Sequence, residues 1–546
     1  MQLISKFLPK TEFDSYEDFK ENFRYIVPEN FNFARDVVDY IAEHTPEKQA
    51  LLYCNDQGEE RRYTFSEISN LSKRAASYFL SLGIKRGDRV MTMLRRRAEY
   101  WICAVALHRI GAIPVPASIQ FMKKDIVYRI NTANAAALIY LDEANVNEQI
   151  VGIKEQCPGL KQMIFIDEAT GHQHDAHDFC REYQNCMPCA EVVNQDNSAE
   201  FIAYFTSGTT NVPKLVMHNQ TYPIGHIVTA RYMQRVQDGG LHFTMSDTGW
   251  AKFGWGNIYG QWICESAIFA YDPIRFDPHN FLKMTEKYKP TSLCVPPTIY
   301  RFLLRDGLEK KHVASIQWFS TAGEPLSPEV NKDFERITGH SIHEGFGQSE
   351  GTPITCSFEW LEVRPGSMGK PSALYDVAII DKEGNPCEAG EVGEVIIRVN
   401  KENKYAVGLT VGYFIDGKFS KGYNDIYHTG DMVYEDTDGY YWFVGRNDDM
   451  IKCSGYRIGP FEIETILNTH DAVKESAIIG RPDPLRGQIV CAVISLREGY
   501  EPSDALTKEL KDYVKKNTAP YKYPRIIEYI PELPKTTSGK IIRKGL

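Results

Sequence analysis

Short apolar runs that look like buried strands alternate, along most of this chain, with longer stretches that look like amphipathic helices, and that alternation leaves few folds open. Residues 89–94, 137–141, 163–166 and 201–205 are the clearest strand candidates, and residues 65–82 the clearest helix. The pattern predicts an α/β fold in which helices cover largely parallel sheet. Between residues 376 and 398 the texture changes, because the apolar runs 377–380 and 394–397 are separated by a turn containing Gly and Pro. This stretch reads as a β-rich subdomain reaching to about residue 445. After Gly445-Arg446-Asn447-Asp448-Asp449 the chain becomes a small α+β piece of about a hundred residues. The expected organisation is a large multi-subdomain amino-terminal domain over residues 1–447 and a small α+β domain over residues 448–546.

A length of 546 residues suits several folding units, and 43% hydrophobic with 25% charged residues implies packed cores rather than a disordered, collagen-like or disulfide-scaffold chain. The longest apolar stretch, residues 100–117, is interrupted by His108 and Arg109, so no membrane span is expected. Glu12, Asp14, Glu17, Asp18, Glu21 and Glu29 crowd the amino end, where transit peptides are poor in acids and secretory signals need an apolar core. Twelve scattered cysteines fit a reducing compartment. Together these predict a cytoplasmic protein. The net charge is −10, yet residues 511–546 hold nine Lys and Arg against three acids, which suggests that this last segment meets an anion.

The strand candidate 201–205 runs straight into Thr206-Ser207-Gly208-Thr209-Thr210-Asn211-Val212-Pro213-Lys214. Small hydroxyl residues and a glycine leave backbone N–H groups free to converge on phosphate oxygens, and the lysine adds a charge. The spacing is not that of a Walker loop. Four further motifs follow in order: Gly323-Glu324-Pro325, the stretch Glu344, Gly345, Phe346, Gly347, Gln348, Ser349, Glu350, then Tyr427-His428-Thr429-Gly430-Asp431, and the terminal Ser538-Gly539-Lys540 within residues 534–540.

With residues 445–460 these strings resemble the adenylate-forming superfamily of acyl-CoA synthetases, firefly luciferase and peptide-synthetase adenylation domains, over about 340 residues. Residues 246–262, 454–460 and 518–525 look most like medium-chain acyl-CoA synthetases. The family pattern has Gly where Asn211 stands here; Asn is the side chain that best tolerates positive φ. The resemblance implies an ATP-dependent acid:CoA ligase: a carboxylate attacks the α-phosphorus of ATP to give acyl-AMP and pyrophosphate, then coenzyme A displaces AMP.

On that resemblance, residues 206–214 cradle the phosphates and Lys540 bridges the carboxylate and the α-phosphate. Glu350 holds Mg²⁺ by hard oxygen ligation. Asp431 accepts from the ribose hydroxyls with Arg446 beside it. Gly323 and Glu324 lie under the adenine, and Glu344, Gly345, Phe346, Gly347, Gln348 and Ser349 follow the nucleotide and the acyl carbonyl. Ser454, Gly455 and Tyr456 line the pantetheine tunnel, Arg457 contacts the acyl-phosphate end, and Asp448 is the hinge that lets the small domain present Lys540 in one orientation and Gly455 in another. Gln120, Arg486, Lys515 and the weaker candidate Lys516 contact coenzyme A. Trp250, Ala251 and Ala322 wall the acyl pocket, with Lys252 beside them. A tryptophan that closes this pocket in acetate-specific relatives is replaced by Gly347, so a medium-chain, branched or small aromatic acid is expected.

Two other readings bear on function. An adenylating enzyme could load a separate carrier protein, and a nucleotide-binding interaction protein could dock its basic tail on nucleic acid; Glu350, Asp431 and Lys540 together argue against the latter. His172, His174, His177, Cys180, Cys186 and Cys189 fall within eighteen residues, but their spacing matches no standard zinc finger, and they read as a loop excursion.

Overall fold

The computed structural model describes residues 2–166, 176–189, 191–206, 213–399, 405–415, 417–453, 456–484, 486–536 and 540–546, without the side chains of Tyr456, Arg457 and Pro520. They form two compact units, Met1–Asp376 with Arg398–Tyr427, and Val377–Ile397 with His428–Leu546.

In the first unit the predicted strands become neighbours. Arg89–Met93, Ala137–Leu141 and Gln162–Ile166 lie side by side in an all-parallel five-stranded sheet bordered by Ile113–Pro116 and His177–Asp178. The helix Phe65–Ser81 begins where its sequence supplies a reciprocal cap: Glu67 N–H donates to the Thr64 hydroxyl at 3.2 Å, and Thr64 N–H to the Glu67 carboxylate at 2.8 Å. The helix Ala98–Ile110 is buried on every side. Two of its polar side chains reach partners on other segments: His108 Nε2 lies 3.1 Å from the Tyr259 hydroxyl, and the fully buried Arg109 places Nη1 and Nη2 at 2.7 and 2.8 Å from the Asp39 carboxylate.

A nine-stranded sheet runs in the order Lys370–Pro371, Gly351–Cys356, Ile342–Gln348, Trp318–Ala322, Ser292–Cys294, Leu241–Thr244, Ala267–Asp272, Gln49–Asn55 and Glu60–Thr64. Its six central strands are parallel and its edges antiparallel. One side is filled by Phe243, Phe269, Phe281, Tyr300, Phe319 and Phe334. A third, antiparallel sheet pairs Glu200–Thr206 with Lys214–Asn219, and Lys214–Asn219 with Gly412–Ile415; its Ala203 and Met217 share a core with Met91 and Leu138 of the parallel sheet.

The second unit contains the β-rich stretch, a four-stranded sheet ordered Asp376–Ile380, Gly393–Arg398, Ile426–Glu435 and Tyr441–Arg446. Its carboxyl part is built on the long hairpin Val473–Asp483 and Gly487–Leu496, joined by Ile451–Cys453, Tyr456–Ile458 and Ile526–Tyr529. The helices Pro460–Asn468 and Asp504–Asn517 bury Ile463, Leu467, Leu506, Leu510 and Val514 against that sheet. Among the described residues no helix is long and apolar enough to cross a membrane.

Candidate active site

The glycine- and hydroxyl-rich loop is the turn of a β-hairpin. Thr206 and Lys214 face each other as the last pair of the strands Glu200–Thr206 and Lys214–Asn219. Ser207, Gly208, Thr209, Thr210, Asn211 and Val212 lie outside the described residues. Pro213 offers its carbonyl to the Tyr128 hydroxyl at 3.0 Å. The Lys214 ammonium lies 5.7 Å from the centre of the Tyr413 ring.

Tyr413 joins two motifs. Burial, and then the neighbouring Glu350 carboxylate, push its phenol well above the ordinary tyrosine range, and it also hydrogen-bonds Tyr427. The Tyr427 hydroxyl in turn donates to Gln348 Oε1 at 2.6 Å. Lys214, Gln348 and Glu350, which span more than a hundred residues of chain, are thus brought to one place by two tyrosines. Tyr413 carries no motif signal; only its partnership with Lys214–Asn219 across the sheet could have pointed to it.

The strand Ile342–Gln348 is held from behind. Gly345 pairs with Ala322, and a Cβ at Gly345 would fall 2.3 Å from Met233 Cε. Met233 ends a wide i→i+5 turn, Val228–Met233, and its carbonyl accepts from the Trp318 indole N–H at 2.7 Å. Phe346 pairs with Thr355. Gly323 follows the strand with φ +97°, a conformation that favours glycine, and Glu324 accepts from the Thr298 hydroxyl at 3.0 Å.

Glu344 stands on the same strand, Ile342–Gln348. It is buried, and its carboxylate faces the Leu326 N–H at 3.4 Å. Burial pushes its carboxyl up to about 8 from an ordinary 4.5. The folded protein therefore keeps this proton between about pH 4.5 and pH 8, where the unfolded chain has released it, so stability from this group falls as pH rises across that window. Glu344→Gln, which cannot ionise, should flatten the slope: in denaturant titrations the variant should gain on the parent from pH 5 to pH 8. A constant gap would show that Glu344 does not titrate there.

Lys252 ties the acyl-pocket candidates of two elements together. Ala322 and Ala251 are buried, Trp250 precedes the helix Ala251–Gly256, and the Lys252 ammonium donates to the Ala322 carbonyl at 2.5 Å. The space opened by Gly347 is not empty. A Cβ there would lie 2.4 Å from Cη2 of Trp255, so an indole from the helix one turn beyond Ala251 rests against the bare glycine. Gly347→Trp would therefore collide with Trp255. The reading of residues one by one missed Trp255 because its contact with Gly347 spans ninety residues of chain.

Within the second unit, Asp431 and Arg446 are a cross-strand pair, with Arg446 Nη1 3.2 Å from Asp431 Oδ1 and Nε 3.5 Å from Asp448. Burial works against the Arg446 charge, but the two carboxylates more than offset it and raise its pKa. Tyr456 and Arg457 pair with Cys453 and Lys452, while Ser454 and Gly455 lie outside the described residues. Lys540 is exposed, its N–H bonded to the Thr536 hydroxyl at 3.1 Å. Arg486 N–H caps Asp483 at 2.8 Å; Lys515 pairs with Asp512 at 2.9 Å and sits 4.5 Å from the Tyr523 ring centre. Lys516 is exposed on the same helix. Gln120, in the first unit, follows Ser118, whose hydroxyl accepts its N–H at 3.3 Å. His172 and His174 lie outside the described residues; Cys186 Sγ meets the Glu182 carbonyl at 3.8 Å.

Residues 38–413 match the model of the AMP-binding enzyme family, and residues 462–540 that of its C-terminal domain. The chain belongs to the AMP-binding enzyme family. This AMP-binding enzyme is 36% identical to the human mitochondrial acyl-coenzyme A synthetase ACSM3 over 98% of its own length and 92% of that protein's. It is 38% identical to human mitochondrial ACSM4 over 95% and 90% of the two chains. Among solved structures it is similar to the anthranilate CoA ligase AuaEII in complex with anthranoyl-AMP, with a TM-score of 0.83, 26% identity and coverage of 94% and 96%. These relatives correct one expectation: the cytoplasmic location read from the acidic amino end is overturned, since the human proteins are mitochondrial.

Proposed function

We propose that this AMP-forming acyl-CoA synthetase activates a medium-chain, branched or small aromatic carboxylic acid, and that the residues gathered above divide the work. ATP, the acid and coenzyme A are its substrates. The observation that carries the reading is the convergence of Lys214, Gln348 and Glu350 through Tyr413 and Tyr427 at the base of the phosphate hairpin. A cation and a carboxylate at one point suit a metal-bound polyphosphate, since the carboxylate supplies the hard oxygen that Mg²⁺ prefers. Bound there, Mg²⁺ neutralises charge on the phosphates.

Adenylation brings two anions together, so cations must lie where negative charge accumulates. Lys540 bridges the attacking carboxylate and the α-phosphate; Lys214 and the hairpin amides hold the outgoing phosphates. Asp431 accepts from the ribose hydroxyls, oriented by Arg446. Gly323 and Glu324 support the adenine, and the strand carrying Glu344 to Ser349 follows the nucleotide to the acyl carbonyl. Asp448 is the hinge after which the small domain offers Ser454, Gly455 and Tyr456 to pantetheine, with Arg457 at the acyl phosphate. Arg486, Lys515 and Gln120 meet the remainder of coenzyme A.

A panel of straight, branched and aromatic acids, assayed for AMP release with and without coenzyme A, tests this. AMP turnover that ignores coenzyme A would defeat the ligase reading in favour of carrier loading. The pocket makes a second demand. With Trp255 standing where Gly347 leaves room, Trp255→Ala should extend the favoured acid series by opening volume, with kcat/KM rising about fourfold for each added methylene until the pocket fills. An unchanged chain-length profile would place the end of the pocket elsewhere.

A further inference from the structure

We infer that His218 is a positioning residue for the Glu350 carboxylate, acting through the main chain of Ser349. This rests on Glu350 serving the metal-bound nucleotide. His218 is fully buried on the strand Lys214–Asn219, five residues into the sheet from the phosphate loop, and its Nε2 lies 2.8 Å from the Ser349 carbonyl. A carbonyl only accepts, so Nε2 carries the hydrogen. Burial holds the ring's pKa down to about 4, which keeps it neutral at working pH. Tyr222 packs on the ring with centroids 4.0 Å apart and fixes its plane.

The residue after Ser349 is held as firmly from the other side. Thr410 N–H donates to the Glu350 carbonyl at 2.6 Å, and the Thr410 hydroxyl donates to the Met217 carbonyl at 2.8 Å. Met217 and His218 are consecutive, so one strand anchors both carbonyls: His218 directly and Met217 through Thr410. Fixing two successive carbonyls fixes the Cα–Cβ direction between them. The Glu350 side chain is thereby aimed at Tyr413, in the same cluster as Lys214. The strand that ends the phosphate loop thus also sets the carboxylate that serves the phosphates. Loss of such an outer hydrogen bond commonly weakens metal affinity by about 10- to 100-fold.

The test is calorimetric titration of the full-length enzyme with ATP, with and without Mg²⁺. His218→Ala should weaken Mg²⁺-dependent ATP binding about tenfold while leaving metal-free ATP binding and the reaction of preformed acyl-AMP with coenzyme A unchanged. His218→Gln places an amide N–H where Nε2–H was and should restore affinity to within about threefold. Should the alanine variant fail to fold, His218→Phe fills the volume without a donor and takes its place in the comparison. Equal weakening with and without Mg²⁺, or no rescue by glutamine, overturns the inference. Glu350→Gln is the control that separates the two claims: if it leaves the Mg²⁺-dependent part intact, the role of Glu350 fails; if it removes that part while His218→Ala does not, the role of His218 alone fails.

Discussion

Lys540→Ala is expected to lower acyl-adenylate formation from free acid and ATP by about 10²- to 10³-fold, the usual loss when a charge contact made at the transition state is removed. The same variant should still transfer the acyl group of preformed acyl-AMP to coenzyme A at nearly the parental rate. The asymmetry follows from the roles proposed: the lysine meets charge that develops only while the carboxylate attacks the α-phosphorus. Its side chain is exposed on the terminal segment, anchored by its own N–H on Thr536, so truncation removes a charge without opening a core. Each half-reaction is measured alone, as pyrophosphate release from acid and ATP and as thioester formation from acyl-AMP. An equal loss in both would sink the division of labour between Lys540 and the Gly455 segment.

The second large effect concerns stability. Arg109→Ala should cost about 3–5 kcal/mol, because it leaves the Asp39 carboxylate in the interior without the bidentate partner that compensates its burial. Arg109 is wholly inaccessible and Asp39 nearly so; what remains to Asp39 is the Ser69 hydroxyl at 2.7 Å and Lys73 at 3.5 Å. A single carboxylate stranded in low dielectric is worse than none, so the double variant Asp39→Ala with Arg109→Met should recover much of the loss. Denaturant midpoints of the parent, the single and the double variants make the comparison. A single variant within about 1 kcal/mol of the parent would mean that solvent reaches Asp39 once the guanidinium is gone.

The second prediction also marks where reading along the chain ends. His108 and Arg109 interrupt an apolar run, and that is enough to exclude a membrane span; that the same two residues are buried, one on Tyr259 and the other on Asp39, depends on a partner seventy or more residues away. Local sequence decided what is local. Strand 200–206 and the loop after it follow from an apolar run meeting a hydroxyl- and glycine-rich turn, and the helix beginning at Phe65 follows from its amphipathic stripe. The order of the motifs was likewise enough to indicate the family, since each is a short string whose chemistry is carried by adjacent residues.

Tertiary structure decided the rest because a side chain's environment is set by whatever other segment packs on it. Gly347 shows in sequence only that a large side chain is missing; the fold puts Trp255 into the space. Lys252 shows in sequence only that it stands beside the pocket candidates; the fold brings its ammonium to the Ala322 carbonyl. Glu344 reads as one more motif acid, yet burial raises its carboxyl so that it keeps its proton near neutrality. His218 has no signal at all in its neighbours along the chain, and gains its role from a carbonyl 131 residues away. Composition and spacing fix which groups are available for chemistry, whereas desolvation and contact, which set their charge and aim, exist only once the sheets have assembled.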